Sequence, residues 1–341
     1  KENLAMIQRK RAEAKKRGLT GKRLSRAARG PATELADVPD NAYPDGACAD
    51  MAIETLRRIQ DKPFFLAVGF LKPHLPFNAP KRYWDLYRRD EIELADNPFA
   101  PKGAPPFALT SFGELRNYDD MPQSGPVAEE DAHRLIHGYL ACVSYTDAQI
   151  GRVLDELDRL ELTDKTAVVL WGDHGWKLGE HGGWCKHTNF ELDTHVPMIF
   201  AAPGPPTAGR STDALAEFVD IYPTLSDLAG LPLPDHLEGT SLLPVLSNVR
   251  ESVKSAAFSQ YPRGHKGRGL MGYSMRTDRW RYTEWLDRKS REVVARELYD
   301  HVNDPAENEN VAEKTGNEPL VTGLSKQLAE GEGWRDARQH N

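Results

Sequence analysis

Thr166-Ala-Val-Val-Leu-Trp171 runs directly into Gly172-Asp-His-Gly-Trp-Lys-Leu-Gly-Glu-His-Gly-Gly-Trp-Cys-Lys-His-Thr-Asn-Phe190. The first six residues are largely apolar and β-branched with no polar alternation, the pattern of a strand buried on both faces of a parallel sheet. Asp173 and His174 then fall at the carboxyl end of that strand, where open α/β sheets place their ligands. Glycines at 172, 175, 179, 182 and 183 permit sharp turns and close approach of the backbone to a ligand. An Asp-His pair alone would serve equally well as a helix cap or a turn. What favours a functional loop is the crowding of Trp176, Glu180, His181, Lys186, His187 and Asn189 into the same stretch, which makes a site for a metal and an anion.

Working outward, strands and helices alternate. Residues 51–59 read as a short helix and 64–70 as a buried strand. A long helix is expected over 129–160, where Leu135, Tyr139, Cys142, Ile150, Val153, Leu157 and Leu160 recur at three- and four-residue steps as one apolar stripe. After the loop come a strand at 196–201 and a helix near 220–229. Such alternation argues for a parallel or mostly parallel sheet flanked by helices, an α/β fold. The proline-rich stretch 77–127 has little periodicity and reads as a long surface excursion. Beyond residue 246 the texture changes to short strand-like runs with turns between them, which predict a small antiparallel sheet, closed by a helix over 319–329. Three parts result: a basic N-terminal segment at 1–34, a large α/β portion at 35–246 and a smaller antiparallel subdomain at 247–341.

The loop resembles that of the sulfatases in the alkaline phosphatase superfamily, most closely the iduronate-2-sulfatase branch, whose pattern is D-H-G-W-x-L-G-E-H-G-x-W-x-K-x-x-N-F followed by T-H-V-P. The chain supplies Asp173 through Phe190 in that pattern and then Thr194-His195-Val196-Pro197. Lys72-Pro73-His74, Ser259-Gln-Tyr-Pro-Arg263 and Leu298-Tyr299-Asp300 with Asp304-Pro305 follow in the family order, so that the resemblance spans about residues 35 to 310. It implies hydrolysis of a sulfate ester by a formylglycine hydrate, with Ca2+ and several cations neutralising the sulfate oxygens. On the same resemblance Asp173 and His174 are two of the metal ligands, Lys186 contacts the sulfate, and His74 faces the leaving-group oxygen. Fixed cations and a positioned proton donor suit that chemistry, since charge moves from the sulfate towards the leaving oxygen. Histidine is nevertheless more typical of zinc than of calcium, so calcium is named by the resemblance and not by ligand chemistry. Lys72 faces either the anion or solvent. Trp176 is a core anchor or a wall for a sugar ring, Glu180 and His181 are expected to support the metal ligands, and His195 is a structural or supporting group at the start of the next strand.

The chain departs from the pattern in two respects. None of Cys48, Cys142 and Cys185 begins C-x-P/A-x-R, the motif that yields formylglycine. Ser25-Arg-Ala-Ala-Arg29 fits the serine form, but it lies in a basic run and lacks the family's downstream Thr-Gly. The aspartate pair that would complete the metal site is also absent. The expectation is therefore a C-terminal portion of a sulfatase whose nucleophile lies upstream.

Composition bounds the partners. The 341 residues carry a net charge of −7, yet residues 1–30 alone carry +9. A basic arm can bind nucleic acid, but this one has no aromatic residue for base stacking and reads as a solvated helix, so no nucleic-acid partner is expected. No apolar run reaches transmembrane length. Three cysteines make no disulfide framework, and Cys142 reads as a small core residue on a helix. The expected partner is a sulfated carbohydrate, and the resemblance implies a periplasmic, extracellular or lysosomal setting. Two other classes stay open. A two-metal phosphodiesterase or phosphatase would need an upstream Asp-x-x-x-His, but Asp147 is followed four residues later by Gly151. The other is a non-catalytic glycan-binding relative.

Overall fold

In the computed structural model, which describes residues 2–331, the longest element is the helix α5 (Glu129–Arg159). Glu129, Glu130 and Asp131 place negative charge on its first turn and Arg159 positive charge on its last, matching the helix dipole. Leu135, Cys142 and Leu157 of the expected stripe are buried, joined by Ala141 and Tyr145. The rest of the stripe is half-buried.

The chain divides into two compact units. The first comprises Lys1–Asp96, Ser111–Thr163 and Leu178–Cys185. In it the helices α1 (Glu2–Lys16) and α2 (Gly21–Ala27) precede strand β1 (Thr33–Ala36), helix α3 (Pro44–Ile59), strand β2 (Phe77–Pro80) and the short helix α4 (Lys81–Trp84). β1 and β2 pair in parallel, with α3 in the crossover between them. α3 and β2 both pack on α5. The Tyr145 hydroxyl accepts the Gly46 N–H at 2.6 Å and donates to the Asp40 carbonyl at 3.0 Å, which ties the two helices through a buried group. At the far end of these helices the Arg57 guanidinium makes two bonds to Glu156.

Residues 64–70 do not form the expected buried strand. They have no regular secondary structure and pair with no other strand among the described residues, and Phe65 is 82% exposed. Their end is fixed by a side chain instead: the Asp45 carboxylate accepts the N–H groups of Leu71 and Lys72. The 77–127 excursion is less superficial than its composition implies. It contributes β2 and α4 and buries Tyr83, Trp84, Leu115, Tyr118 and Met121.

The second unit comprises Asn97–Thr110, Asp164–Lys177 and Lys186–Asn341. Strand β3 (Val168–Trp171) leads into the loop, in which β4 (Lys177–Leu178) and β5 (Trp184–Cys185) are two-residue strands and the stretch Leu178–Cys185 belongs to the first unit. A single-turn helix α6 (Glu191–Thr194) precedes β6 (Met198–Ala201). β6 pairs with β3 antiparallel, a local departure from the parallel pattern that strand-helix alternation suggests. Too little helix lies between the two strands for a crossover, so the chain simply doubles back. β3 is not buried on both faces either. Trp171 is 46% exposed and Ile199 58%, and the register Leu170↔Ile199, Trp171↔Met198 puts them on opposite sides of the ribbon.

After α7 (Ile221–Leu228) and α8 (Leu243–Ser247) come β7 (Ala257–His265), β8 (Arg268–Arg276), β9 (Trp280–Asp287) and β10 (Val293–Asp300). They form a four-stranded antiparallel sheet in the order β10-β9-β8-β7, as the changed texture predicts. The alternation of two sorts its residues cleanly. Met271, Tyr273, Met275, Tyr282, Leu286 and Leu298 share a core with Leu324 and Leu328 of α9 (Glu318–Glu330). Leu270, Trp285 and Tyr299 point the other way and pack with Phe190 and Ala108. The end of the site loop is thus docked on one face of this sheet. Among the described residues no helix is long and apolar enough to cross a membrane.

Candidate active site

The loop that follows β3 takes its shape from two glycines. A Cβ on Gly175 would lie 1.8 Å from the Leu192 carbonyl oxygen, so only glycine lets the two arms of the loop meet there. Gly179 has a φ of +128°, a conformation that side chains disfavour. Next to it the Glu180 carboxylate accepts the Leu178 N–H at 2.6 Å, and His181 is buried with a φ of 54°. Glu180 and His181 thus shape the turn within the first unit.

In the second unit Asp173, His174, Trp176 and Lys186 come together. The His174 Nδ1–H donates to the Gly175 carbonyl at 2.9 Å, which fixes the tautomer and leaves the Nε2 lone pair outward. That Nε2 lies 3.6 Å from Asp173 Oδ2, and the Asp173 side chain is 86% exposed. One carboxylate oxygen and one imidazole nitrogen, side by side and open to solvent, fit half of a divalent-metal site. The imidazole stacks on Trp176 at 6.0 Å and 29°, and the Lys186 ammonium sits 4.7 Å from the centre of the same indole. Lys186 is 9% exposed, so its charge acts in a partly desolvated place. Trp176 is therefore the spacer between the outward His174, with Asp173 beside it, and the Lys186 ammonium.

His195 stands apart from this row. Its Nδ1 is 3.1 Å from Glu191, one helical turn earlier. Glu191 is the hub of a network. Arg281 and Arg276 both reach its carboxylate, and its N–H donates to Glu307 at 2.8 Å. Burial pushes the Glu191 carboxyl up, but His195, Arg281 and Arg276 outweigh it and hold it well below the usual range; in return Glu191 raises His195. Glu191, His301 and Glu307 do bring metal-type atoms within 4.8 Å of one another. Arg281 pairs with both carboxylates, however, and Arg276 with Glu191, so two guanidinium groups already face the two acids there. Apart from His195 nothing local in the sequence marks this hub, because Arg276, Arg281 and Glu307 lie far along the chain.

In the first unit Lys72 and His74 belong to one turn. The Lys72 ammonium donates to the carbonyls of His74 and Pro76 at 2.9 and 2.6 Å, and burial lowers its pKa. Two cis peptides, Lys72–Pro73 and Leu75–Pro76, flank the histidine. The His74 Nδ1–H donates to the Leu75 carbonyl at 2.7 Å, and Nε2 is 2.9 Å from Glu114. Glu114 is a partner that sequence reasoning missed, since the stretch around it gives no periodic signal.

The sulfatase family model matches residues 8–231, and that of the N-sulphoglucosamine sulphohydrolase C-terminal region matches residues 179–333. Human iduronate 2-sulfatase is 34% identical over 82% of this chain, and the match spans 64% of that protein's own length. Among solved structures, one described in complex with its substrate D-glucosamine-2-N,6-O-disulfate superposes with a TM-score of 0.74 at 23% identity, covering 88% of this chain and 70% of that one. A phosphonate monoester hydrolase from Silicibacter pomeroyi gives 0.73 at 20% identity, covering 95% and 68%. These two likenesses fix the α/β, alkaline-phosphatase-like fold and leave the chemistry to the residues. The residues of the loop and the matches across most of the sequence agree: the chain belongs to the sulfatase family.

Proposed function

We propose that this chain supplies one side of the active site of a sulfuric ester hydrolase acting on a sulfated sugar. The observation that carries the reading is the row His174, Trp176, Lys186, with Asp173 beside it. It sets a buried cation one indole ring away from two outward metal ligands. An anion facing both would be held by fixed charges that need no reorganisation, the form of stabilisation that lowers barriers most. Asp173 and His174 would hold a divalent ion, read as calcium on the family resemblance, which when bound supplies positive charge to the sulfate oxygens. Lys186 would neutralise those oxygens directly. His74, whose Nε2 lies 2.9 Å from Glu114, would serve as proton donor to the leaving oxygen. Among the described residues none fits the formylglycine. Ser25, whose motif has the serine form, is an exposed residue on the basic helix α2.

The sugar portion of the substrate rests on the named relatives, a 2-sulfatase of iduronate and a structure holding a disulfated glucosamine. The test uses the intact gene product on an alkyl and an aryl sulfate. Lys186→Ala is expected to lower the rate about 10²–10³-fold on both. His74→Ala should cost about 10²–10⁴-fold on the alkyl ester and less on the phenol, which needs less protonation. An equal loss on the two substrates would remove His74 from the acid role. Turnover of phosphate diesters without turnover of any sulfate ester would overturn the reading.

A further inference from the structure

Lys177 lies between Trp176 and the turn at Gly179, yet its side chain is 1% exposed, and its partner Asp193 is 3% exposed. The ammonium donates to Asp193 Oδ1 at 2.7 Å and to the Thr188 hydroxyl at 2.7 Å. The other Asp193 oxygen accepts both the Thr188 N–H, at 2.7 Å, and the Thr188 hydroxyl. The Phe190 ring also lies against the ammonium, its centre 5.3 Å away. The backbone repeats the connection, with the Gly175 N–H donating to the Asp193 carbonyl at 2.9 Å. Both oxygens of the carboxylate are thus bonded to residues on the two arms of one loop.

A buried ion pair is a poor device for stability alone, because desolvating two charges costs about as much as their attraction returns, and an apolar pair of similar volume is often as stable. What the pair adds is a fixed distance. Thr188 stands two residues after Lys186, and Lys177 three residues after His174. The bonds among Lys177, Thr188 and Asp193 therefore join the arm that carries the outward imidazole to the arm that carries the cation. Trp176 alternates with Lys177 along the chain: the lysine turns into the clamp, and the indole fills the gap between His174 and Lys186.

We infer that Lys177, Asp193 and Thr188 are positioning residues that set the spacing between His174 and Lys186. This rests on the reading of those two as metal ligand and sulfate-facing cation. The pair acts through geometry and touches no reacting atom.

The experiment uses the full chain, labelled with 15N, and follows the His174 Nδ1–H and Trp176 indole N–H resonances, assigned with His174→Gln and Trp176→Phe. Lys177→Met alone strands a buried carboxylate and is expected to unfold the chain. Lys177→Met/Asp193→Leu removes both charges and should stay folded, with a urea midpoint lowered only by the buried Thr188 N–H and hydroxyl that lose their acceptor. In that folded double variant the His174 proton should exchange on the order of tenfold faster, as its arm opens more readily, and the Trp176 resonance should move. Thr188→Val should shift the same two signals less. A folded double variant with both signals in place would overturn the inference. So would an unfolded double variant together with a silent Thr188→Val, since the trio would then serve stability only; signals moved by Thr188→Val would uphold it even in that case. Neither resonance depends on turnover, so a gene product that cleaves no sulfate ester and a clamp that moves no signal are separate results.

Discussion

The β7–β10 sheet and the β3–β6 ribbon lie in the same unit and draw on the same residue types, yet they treat them in opposite ways. In the sheet, Tyr273, Met275, Tyr282, Trp285 and Leu298 are all fully buried. In the ribbon, large apolar residues are open on both sides. The difference lies in the layers. The sheet has α9 on one face and the Phe190 segment on the other, and its four strands follow one another through short turns. The ribbon is two strands of four residues each. An apolar run specifies a strand that can be buried, and only a covering layer buries it.

The comparison breaks most easily at tryptophan, which occurs on both sides of it. Trp285 packs with Leu270, Tyr299 and Phe190, and its indole N–H donates to Glu297 at 2.6 Å. Trp285→Ala is expected to cost about 3–5 kcal/mol, through the lost contacts and the cavity left behind. Urea unfolding followed by circular dichroism measures it. A loss below about 1 kcal/mol would mean that the sheet repacks freely and that its burial is not what holds it.

These two regions also mark how far the sequence can be read. The antiparallel sheet and its closing helix were legible because turn residues and strand-like runs alternate locally, and α9 (Glu318–Glu330) brackets the expected 319–329. The meeting of Asp173, His174, Trp176 and Lys186 was legible because all four sit in one short loop. The burial of 64–70 and of β3 was misjudged for one reason: an apolar run says nothing about the layer above it. Glu114 beside His74, and Arg281 beside Glu191, were invisible, since charge partners far apart in the chain leave no periodic trace. Lys177 stood inside the quoted loop, but only the fold shows it turning inward to Asp193.

A second test sharpens the comparison through the charge that the sheet encloses. Glu297 is buried on the Trp285 face, and burial raises its pKa from the ordinary 4.5 to about 7, despite bonds from Tyr299 and Trp285 that favour the ionised form. A carboxyl whose folded pKa is raised contributes most below its unfolded value, and that contribution is lost as pH rises through about 7. Glu297→Gln keeps the shape without the charge. It should therefore stabilise the chain by about 1–3 kcal/mol well above neutrality and change little in mild acid. Urea midpoints at the two pH values test this; a stabilisation greater in acid than in base would show that Glu297 is ionised throughout and that the sheet tolerates the charge.

The smallest expected effect falls on the ribbon. Trp171 ends β3 with nearly half of its surface in water, directly before Gly172 and the loop. A side chain that is already largely solvated has little transfer energy to lose, so Trp171→Ser should shift stability by no more than about 0.5 kcal/mol. The same exposure makes another observable large. Trp171 and Ile199 present apolar surface on opposite sides of one short ribbon, and such surface favours association with other molecules. Trp171→Ser combined with Ile199→Thr should leave the unfolding midpoint nearly unchanged while reducing concentration-dependent self-association of the chain in sedimentation experiments. Two outcomes would erase the contrast with Trp285. A large loss of stability would show that the ribbon is buried in solution after all, and unchanged association would show that its open faces are not the surface through which the chain meets its neighbours.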